Sequence, residues 1–437
     1  MYGGEGTSED LAEIDARGKL VLIELPAGRT YGEAFERTAA IKAAGATVAM
    51  IVVKPGAALI SGTAEGEEPA PALPTLDGNS VTGRRFAALV KAGPVKASYV
   101  INAQPSLRYE LAYGVKRAVE SAQVYRPRPQ DLAAVRTSYH DNVSSIRELH
   151  ASYGFFGDSV GIVWSQPVTA PQTRTEYFTP GSWTLAASGL STALELSPGQ
   201  TSIAWYKAVA GPTFRGTTTS KVKGEGDRAW ARRKNDSIDV ILPMFGDSAG
   251  RPQVPLPALG IDTGSIELRR DGQLVEKVEE PDAAQIPVPD EAATYQLTAK
   301  ATRAATWWPL STKVAASWTF RSSAEQEGAA LPLLTVRFAP AVDIRNRAPG
   351  GAFKIPVYVE RQGEEHPKIT RLTVGVSYDD GARWQATSIS RSEDHWTIAL
   401  QQPKTGFVSL RAKAADDADN TLNQTVIRGY EIGGKTR

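Results

Sequence analysis

From about residue 180 onward, apolar residues recur at every second position in short runs, the period of strands with one buried face. Thr201-Ser202-Ile203-Ala204-Trp205-Tyr206, Ser265-Ile266-Glu267-Leu268-Arg269-Arg270, Thr294-Tyr295-Gln296-Leu297-Thr298-Ala299 and Ala316-Ser317-Trp318-Thr319-Phe320 all read this way. The second runs straight into Asp271-Gly272, a hairpin turn signal. This spacing predicts a β-sandwich domain over 181–325. A polar stretch at 322–328 marks its boundary, and the alternation beyond it is cleaner. Leu372-Thr373-Val374-Gly375-Val376-Ser377-Tyr378 leads into Asp379-Asp380-Gly381 and Trp384, again a hairpin by its turn chemistry. Trp396-Thr397-Ile398-Ala399-Leu400, Phe407-Val408-Ser409-Leu410-Arg411-Ala412 and a last strand over 424–431 complete an immunoglobulin-like β-sandwich domain at 326–437.

The first hundred residues follow another pattern. Lys19-Leu20-Val21-Leu22-Ile23-Glu24-Leu25 is a continuous apolar run, which suits a strand buried on both faces. In 31–44 the apolar positions Tyr31, Ala34, Phe35, Thr38, Ile41 and Ala44 keep helical spacing, and Gly45 stands where a C-cap favours a left-handed residue. A second strand follows at Thr47-Val48-Ala49-Met50-Ile51-Val52-Val53, so the segment is an α/β unit. A surface loop over 61–74, a short helix over 80–91 and a strand over 95–101 finish a small domain at 1–104. Residues 105–180 carry weak helical patches and the Pro-spaced Tyr125-Arg126-Pro127-Arg128-Pro129. Proline removes backbone donors there, so we read an extended connector packing on its neighbours, with a short helix over 130–137. The fold class is therefore multidomain and mainly β, a small α/β domain followed by β-sandwich domains.

Composition excludes several chemistries. Across 437 residues, 49 Lys and Arg against 48 Asp and Glu leave a net charge of +1, which argues against a nucleic-acid partner held by a bulk basic field. With no cysteine there is no disulfide, thiol nucleophile or thiolate metal site. No run approaches the roughly 18 apolar residues of a transmembrane segment. Met1-Tyr2-Gly3-Gly4-Glu5-Gly6 lacks the basic and apolar regions of a signal peptide.

Three short motifs look catalytic. Gly246-Asp247-Ser248-Ala249-Gly250 fits the G-x-S-x-G nucleophile elbow, but that motif needs a helix after it, and Arg251-Pro252-Gln253-Val254-Pro255 follows instead. Asp262-Thr263-Gly264 is the triplet of an aspartic-protease carboxylate, yet a dyad needs two and one is present; we read a turn between two strands. Gly6-Thr7-Ser8 is followed by Glu9-Asp10 and reads as a chance triplet. The four histidines, His140, His150, His366 and His395, stand in no triad context. Asp416-Asp417-Ala418-Asp419-Asn420 clusters oxygen ligands but lacks the glycine and terminal glutamate of a calcium loop, and His366 with Glu364 and Glu365 reads as a solvated loop. No catalytic, cofactor-binding or metal residue is assigned, and no cofactor is expected. Of nine tryptophans, the adjacent Trp307-Trp308 is the best candidate for a binding or domain-packing contact, since neighbours in a strand point to opposite faces.

Arg17-Gly18-Lys19-Leu20-Val21-Leu22-Ile23, the helix ending Ile41-Lys42-Ala43-Ala44-Gly45-Ala46, the strand Val48-Ala49-Met50-Ile51-Val52-Val53, Leu73-Pro74-Thr75-Leu76 and Phe86-Ala87-Ala88-Leu89 together resemble the protease-associated (PA) domain. Downstream, Arg174-Thr175-Glu176-Tyr177-Phe178 with Trp183, Val408-Ser409-Leu410-Arg411-Ala412, and 423–430 are similar to the C-terminal region of large secreted bacterial subtilisin-like serine peptidases. The resemblance implies a PA-type lid or docking module, structural sandwiches, and an extracellular location. In those enzymes the catalytic domain precedes these modules. The expectation is thus a truncated product or fragment without that domain: a non-catalytic accessory region acting by protein–protein contact. Its partner would be a polypeptide substrate or the peptidase catalytic domain. The alternatives are a hydrolase using Ser248, or a cell-surface protein that binds peptide or glycan.

Overall fold

A computed structural model describes the chain except residues 13, 27–30, 54–70, 79–81, 99–105, 114–123, 143–144, 155–159, 188–189, 217, 220–226, 235, 258–261, 305–307, 327, 365 and 434–437. The chain is multidomain and mainly β, with a small parallel α/β sheet and several sandwich-like antiparallel sheets. It divides into two compact units, 1–106 with 165–169, and 107–164 with 170–437.

In the first unit, strands Leu20–Leu25, Val48–Val53 and Thr75–Gly78 lie parallel in that order. Their apolar runs are buried, as a sheet covered on both faces requires. Helix Thr82–Ala92 brings Ala87 onto Leu22 and Val52, and helix Tyr31–Ala43 also packs on the middle strand. Gly45 ends that helix at φ +89°, where a side chain would be strained and would strike Arg17. The N-terminus extends the sheet: Leu22 donates its N–H to the Met1 carbonyl (2.9 Å) and Gly3 donates to Leu22 (2.8 Å). Of the strand expected over 95–101, the described part forms none. Residues 95–98 are exposed irregular chain, and the rest of that segment lies outside the described residues, as does most of the 61–74 loop. Its few apolar residues carry no period of either kind.

The second unit departs from the expected division. Instead of a connector, 105–180 contributes strands Leu107–Glu110, Ala133–Tyr139, Ser145–Gly154 and Gln172–Phe178. The expected helix over 130–137 is a 3-10 turn, Pro129–Asp131, followed directly by a strand. One sheet has the order Gly199–Trp205, Ala133–Tyr139, Gln172–Phe178, Leu107–Glu110; a second brings Leu190–Leu196, Gly181–Ala187 and Ser145–Gly154 together. Phe178 of the first and Trp183 of the second meet edge to face with centroids 5.0 Å apart. The boundary expected at 325/326 is crossed by a sheet. Strand Lys313–Ser322 pairs through 313–319 with 421–427 of strand Thr421–Ile432, and strands Asp262–Arg270 and Ala293–Arg303 continue the same sheet. Alternation identifies a strand but not its partner, so a polar stretch was read as a domain limit. A four-stranded sheet, Leu334–Phe338, Gly351–Arg361, Trp396–Gln402, Ser388–Arg391, faces the larger one. Gln424 locks the two together, donating to the Val336 carbonyl (2.7 Å) and accepting from its N–H (3.1 Å). Both expected hairpins form, with Asp271-Gly272 and Asp380-Gly381 at positive φ.

Candidate functional site

The G-x-S-x-G segment follows strand Ser237–Ile241 and a short irregular passage, and no helix follows it, since 251–256 is irregular. Asp247 organises the turn. Its Oδ1 accepts from the N–H groups of Ala249 (3.0 Å) and Arg251 (3.1 Å), its carbonyl accepts from Gly250 (2.8 Å), and its carboxylate pairs with the Arg251 guanidinium. Ser248 is 4% exposed; its N–H donates to Lys207 (3.0 Å) and its carbonyl accepts from Arg337 Nη1 (3.0 Å). Its hydroxyl makes no hydrogen bond within the protein. The void beside Asp247 has about 10 Å³ of water-accessible volume, room for about one water and too little for an acyl substrate.

Around this turn runs a buried strap, 205–215. Its backbone groups find partners from widely separated stretches of chain, as buried backbone must. Ala208 donates to Asn346 Oδ1 (2.9 Å), Ala210 to Ser311 Oγ (3.1 Å), Gly211 to Gly246 (2.9 Å) and Thr213 to Pro243 (3.2 Å). Asn346 Nδ2 returns a bond to the Tyr206 carbonyl (3.0 Å). His140 lies at the same place, 6% exposed, with Nδ1 3.0 Å from the Asp343 carbonyl. Burial, together with the charges of Lys207 and Arg251, holds its imidazole down to about 4. Burial likewise lowers Lys207 and raises Asp247, the latter opposed by Arg251. The tertiary structure thus gathers a serine, an aspartate and a histidine in one region, but joins each to backbone or arginine instead of to one another.

The remaining sequence candidates have assigned structural contacts. Asp262 sits in a strand, not in the turn expected for it, and pairs with Arg303. Thr7 is the N-cap of helix Ser8–Leu11, in a capping box with Asp10. Asp416 spends both oxygens: Oδ1 accepts from the N–H of Ala418 and Asn420, and Oδ2 from Asn420 Nδ2 and Arg361 Nη1. Among the described residues no three His, Cys, Asp or Glu side chains gather as metal ligands. His395 contacts Asp394 at 2.7 Å on the surface, and His366 is exposed. His150 lies in strand Ser145–Gly154, and its side chain is outside the described set, as is Glu365. Trp308 is 4% exposed and meets Tyr206 edge to face at 5.8 Å, so it packs inward; Trp307 lies outside the described residues.

The surface that sequence reasoning missed is on the edge strand Leu107–Glu110. Leu107, Tyr109, Tyr113, Val124 and Tyr125 are all exposed. Tyr109 stacks on its register partner Tyr177 (5.0 Å), and Tyr113 stacks on Tyr125 (4.1 Å). The second pair lines an open groove of about 420 Å³ with Arg126, Pro127, Leu132 and Pro180. The one signal for it was the Pro-spaced run, read as a connector. The opposite face of the same sheet is charged and buried. Glu176 accepts from Tyr139 (2.8 Å), Thr137 (2.5 Å) and Arg174 Nε (2.8 Å), with the Arg108–Glu110 pair alongside.

No family model matches the chain, and no curated protein matches it. Among solved structures, the chain is similar to the fibronectin(III)-like modules of Clostridium thermocellum CbhA at 14% identity and a TM-score of 0.17, over 46% of this chain and 87% of that one. Escherichia coli alpha-2-macroglobulin activated by porcine elastase aligns at 8% identity and a TM-score of 0.18, over 71% of this chain and 29% of that one. Chitinase ChiA74 from Bacillus thuringiensis aligns at 12% identity and a TM-score of 0.13, over 54% and 29%. No helix among the described residues is long and apolar enough to cross a membrane.

Proposed function

We propose that this chain is a non-catalytic accessory region of an extracellular subtilisin-like serine endopeptidase, a PA-type module with β-sandwich supports, and that it works by protein–protein contact. The observation that carries the contact reading is the tyrosine groove. Exposed large apolar side chains are concentrated at 107–125, and clustered exposure of this kind marks interaction surfaces. The stacked Tyr113–Tyr125 pair gives an extended polypeptide rigid aromatic area at low entropic cost. The parallel α/β unit of residues 20–92 supports the PA-type part, because the resembling residues fall on its strands and helices. The enclosed Ser248 favours this reading over the hydrolase alternative.

The test uses the full chain with fluorescent unfolded casein. Binding without turnover is expected, weakened about tenfold or more by Tyr109→Ser with Tyr125→Ser, the loss typical of interface anchors. Turnover abolished by Ser248→Ala would establish the hydrolase instead, and binding indifferent to the tyrosines would sink the contact reading.

A further inference from the structure

The sheet that crosses the expected domain boundary has one open face. Strands Ala293–Arg303, Lys313–Ser322, Thr421–Ile432 and Gly406–Asp416 lie side by side in that order. Cross-strand partners share a face, and successive rows alternate between the two faces. The row Ala299, Ala316, Gln424, Ala412 is buried. The rows on either side of it point outward: Lys300, Ala315, Thr425, Arg411 on one side and Thr298, Ser317, Asn423, Lys413 on the other, none of them buried.

Lys300, Arg411 and Lys413 are exposed, and among the described residues no carboxylate pairs with any of them and no hydrogen bond reaches their side chains. Arg411 lies 4.8 Å from the Trp384 ring centroid, held by the ring instead of by an acceptor. The carboxylates beside them are engaged: Glu267, the register partner of Thr298, accepts from Arg269 Nε (2.7 Å), and Asp380 is shared by Arg428 and Lys313. The spacing of the three cations indicates what would complete them. Lys300 and Arg411 end a row three strand spacings long, about 14 Å, and Arg411 and Lys413 stand about 7 Å apart on one strand. No small anion reaches all three, whereas a polymer does. Between them lie only Ala315, Thr425, Ser317 and Asn423, small or polar. A protein partner would need aromatic or apolar anchors there, and a nucleic acid dense cations or stacking rings. Hydroxyl and amide groups that both donate and accept suit a chain that carries hydroxyls between its charges.

We infer that this face binds an acidic polysaccharide, its carboxylates or sulfates on Lys300, Arg411 and Lys413 and its hydroxyls on Thr425, Ser317 and Asn423. The site is separate from the tyrosine groove and goes beyond the function proposed above.

Fluorescence anisotropy of the full chain with labelled polygalacturonate, dextran sulfate and neutral dextran tests it, the first two separating carboxylate from sulfate. At about 50 mM salt at least one acidic polymer should bind about tenfold or more tighter than neutral dextran, and weaken several-fold at about 300 mM, as screening of exposed charges requires. Lys300→Glu with Lys413→Glu should weaken it about tenfold or more. Arg411→Gln alone should weaken it several-fold, and serves if the double variant does not fold. Thr425→Val leaves the charge unchanged and should weaken it about threefold, the loss of a hydroxyl contact. Binding no tighter than that of neutral dextran, or indifference to the charge substitutions, would overturn the inference. Labelled single-stranded DNA or poly-glutamate binding as tightly as the better acidic polysaccharide would also overturn it, as the mark of a face that takes any polyanion. Tyr109→Ser with Tyr125→Ser should leave this binding unchanged, which separates its outcome from that of the contact reading.

Discussion

Asp262 and Arg303 stand directly opposite each other in adjacent antiparallel strands and close a two-pronged ion pair, Nε to Oδ1 at 2.9 Å and Nη2 to Oδ2 at 3.1 Å. Both are buried, Asp262 also accepts from the Leu256 N–H, and the guanidinium lies 3.9 Å from the Phe245 ring centroid. Removing one partner strands the other charge in the interior. Asp262→Ala should therefore lose about 3–5 kcal/mol in urea unfolding, while Asp262→Leu with Arg303→Met should recover much of that. Equal losses in both would show that the pair contributes more than charge balance.

Gly264, two residues along, has φ +157°, and a Cβ there would lie 1.9 Å from the Lys300 carbonyl oxygen. Gly264→Ala should cost about 3 kcal/mol through strain and displacement of the neighbouring strand. A change below about 1 kcal/mol in the same unfolding assay would mean that the strand gives way easily.

The Gly246–Gly250 turn predicts an asymmetry. Asp247 holds two backbone N–H groups and Arg251, whereas the Ser248 hydroxyl holds nothing in the protein. Asp247→Ala should cost about 3 kcal/mol or more, and Ser248→Ala should change stability by less than about 1 kcal/mol. Urea midpoints of the two variants check this directly.

His140 gives the structure an acid limit. Its folded value of about 4 lies below the ordinary 6.5, so the unfolded chain binds more protons between those values. Its neutral form is favoured by folding, and that stability is complete above about pH 6.5 and declines as pH falls toward 4. The span corresponds to about 3 kcal/mol. Burial sets it first; the charges of Lys207 and Arg251 add to the lowering, and the Asp343 carbonyl and carboxylate oppose it. His140→Gln should flatten stability over pH 4 to 6.5, read by thermal unfolding at half-unit intervals; an unchanged slope would assign the acid loss elsewhere.

Asp416 makes a further case. Its oxygens are committed to Arg361 and to the turn it caps, and those groups would have to leave before a cation entered. Millimolar calcium should leave the melting temperature unchanged, whereas Asp416→Ala should lower stability by about 2 kcal/mol.

The local structure was legible wherever one interaction length decided it. The apolar run at 20–25, the helical spacing over 31–43, Gly45 at its cap, and the Asp271-Gly272 and Asp380-Gly381 turns all follow from backbone sterics and side-chain period, which act within a few residues. What failed needed a partner. Period-2 alternation does not say that Lys313–Ser322 pairs with Thr421–Ile432, about a hundred residues on, so one sheet was read as two domains. The connector reading of 105–180 failed because its inward positions, Arg108, Glu110, Arg174 and Glu176, are charged, and buried charge is stable only when partners from other strands are supplied. Likewise Ser248 carries a motif by sequence, but its enclosure comes from Lys207, Arg337 and the strap. Sequence by itself determined the mainly β class, the α/β beginning and the absence of thiol chemistry. Tertiary structure alone decided which strands share a sheet, which polar groups are buried with partners, and which tyrosines and arginines stay at the surface, because those outcomes depend on contacts between residues far apart in the chain.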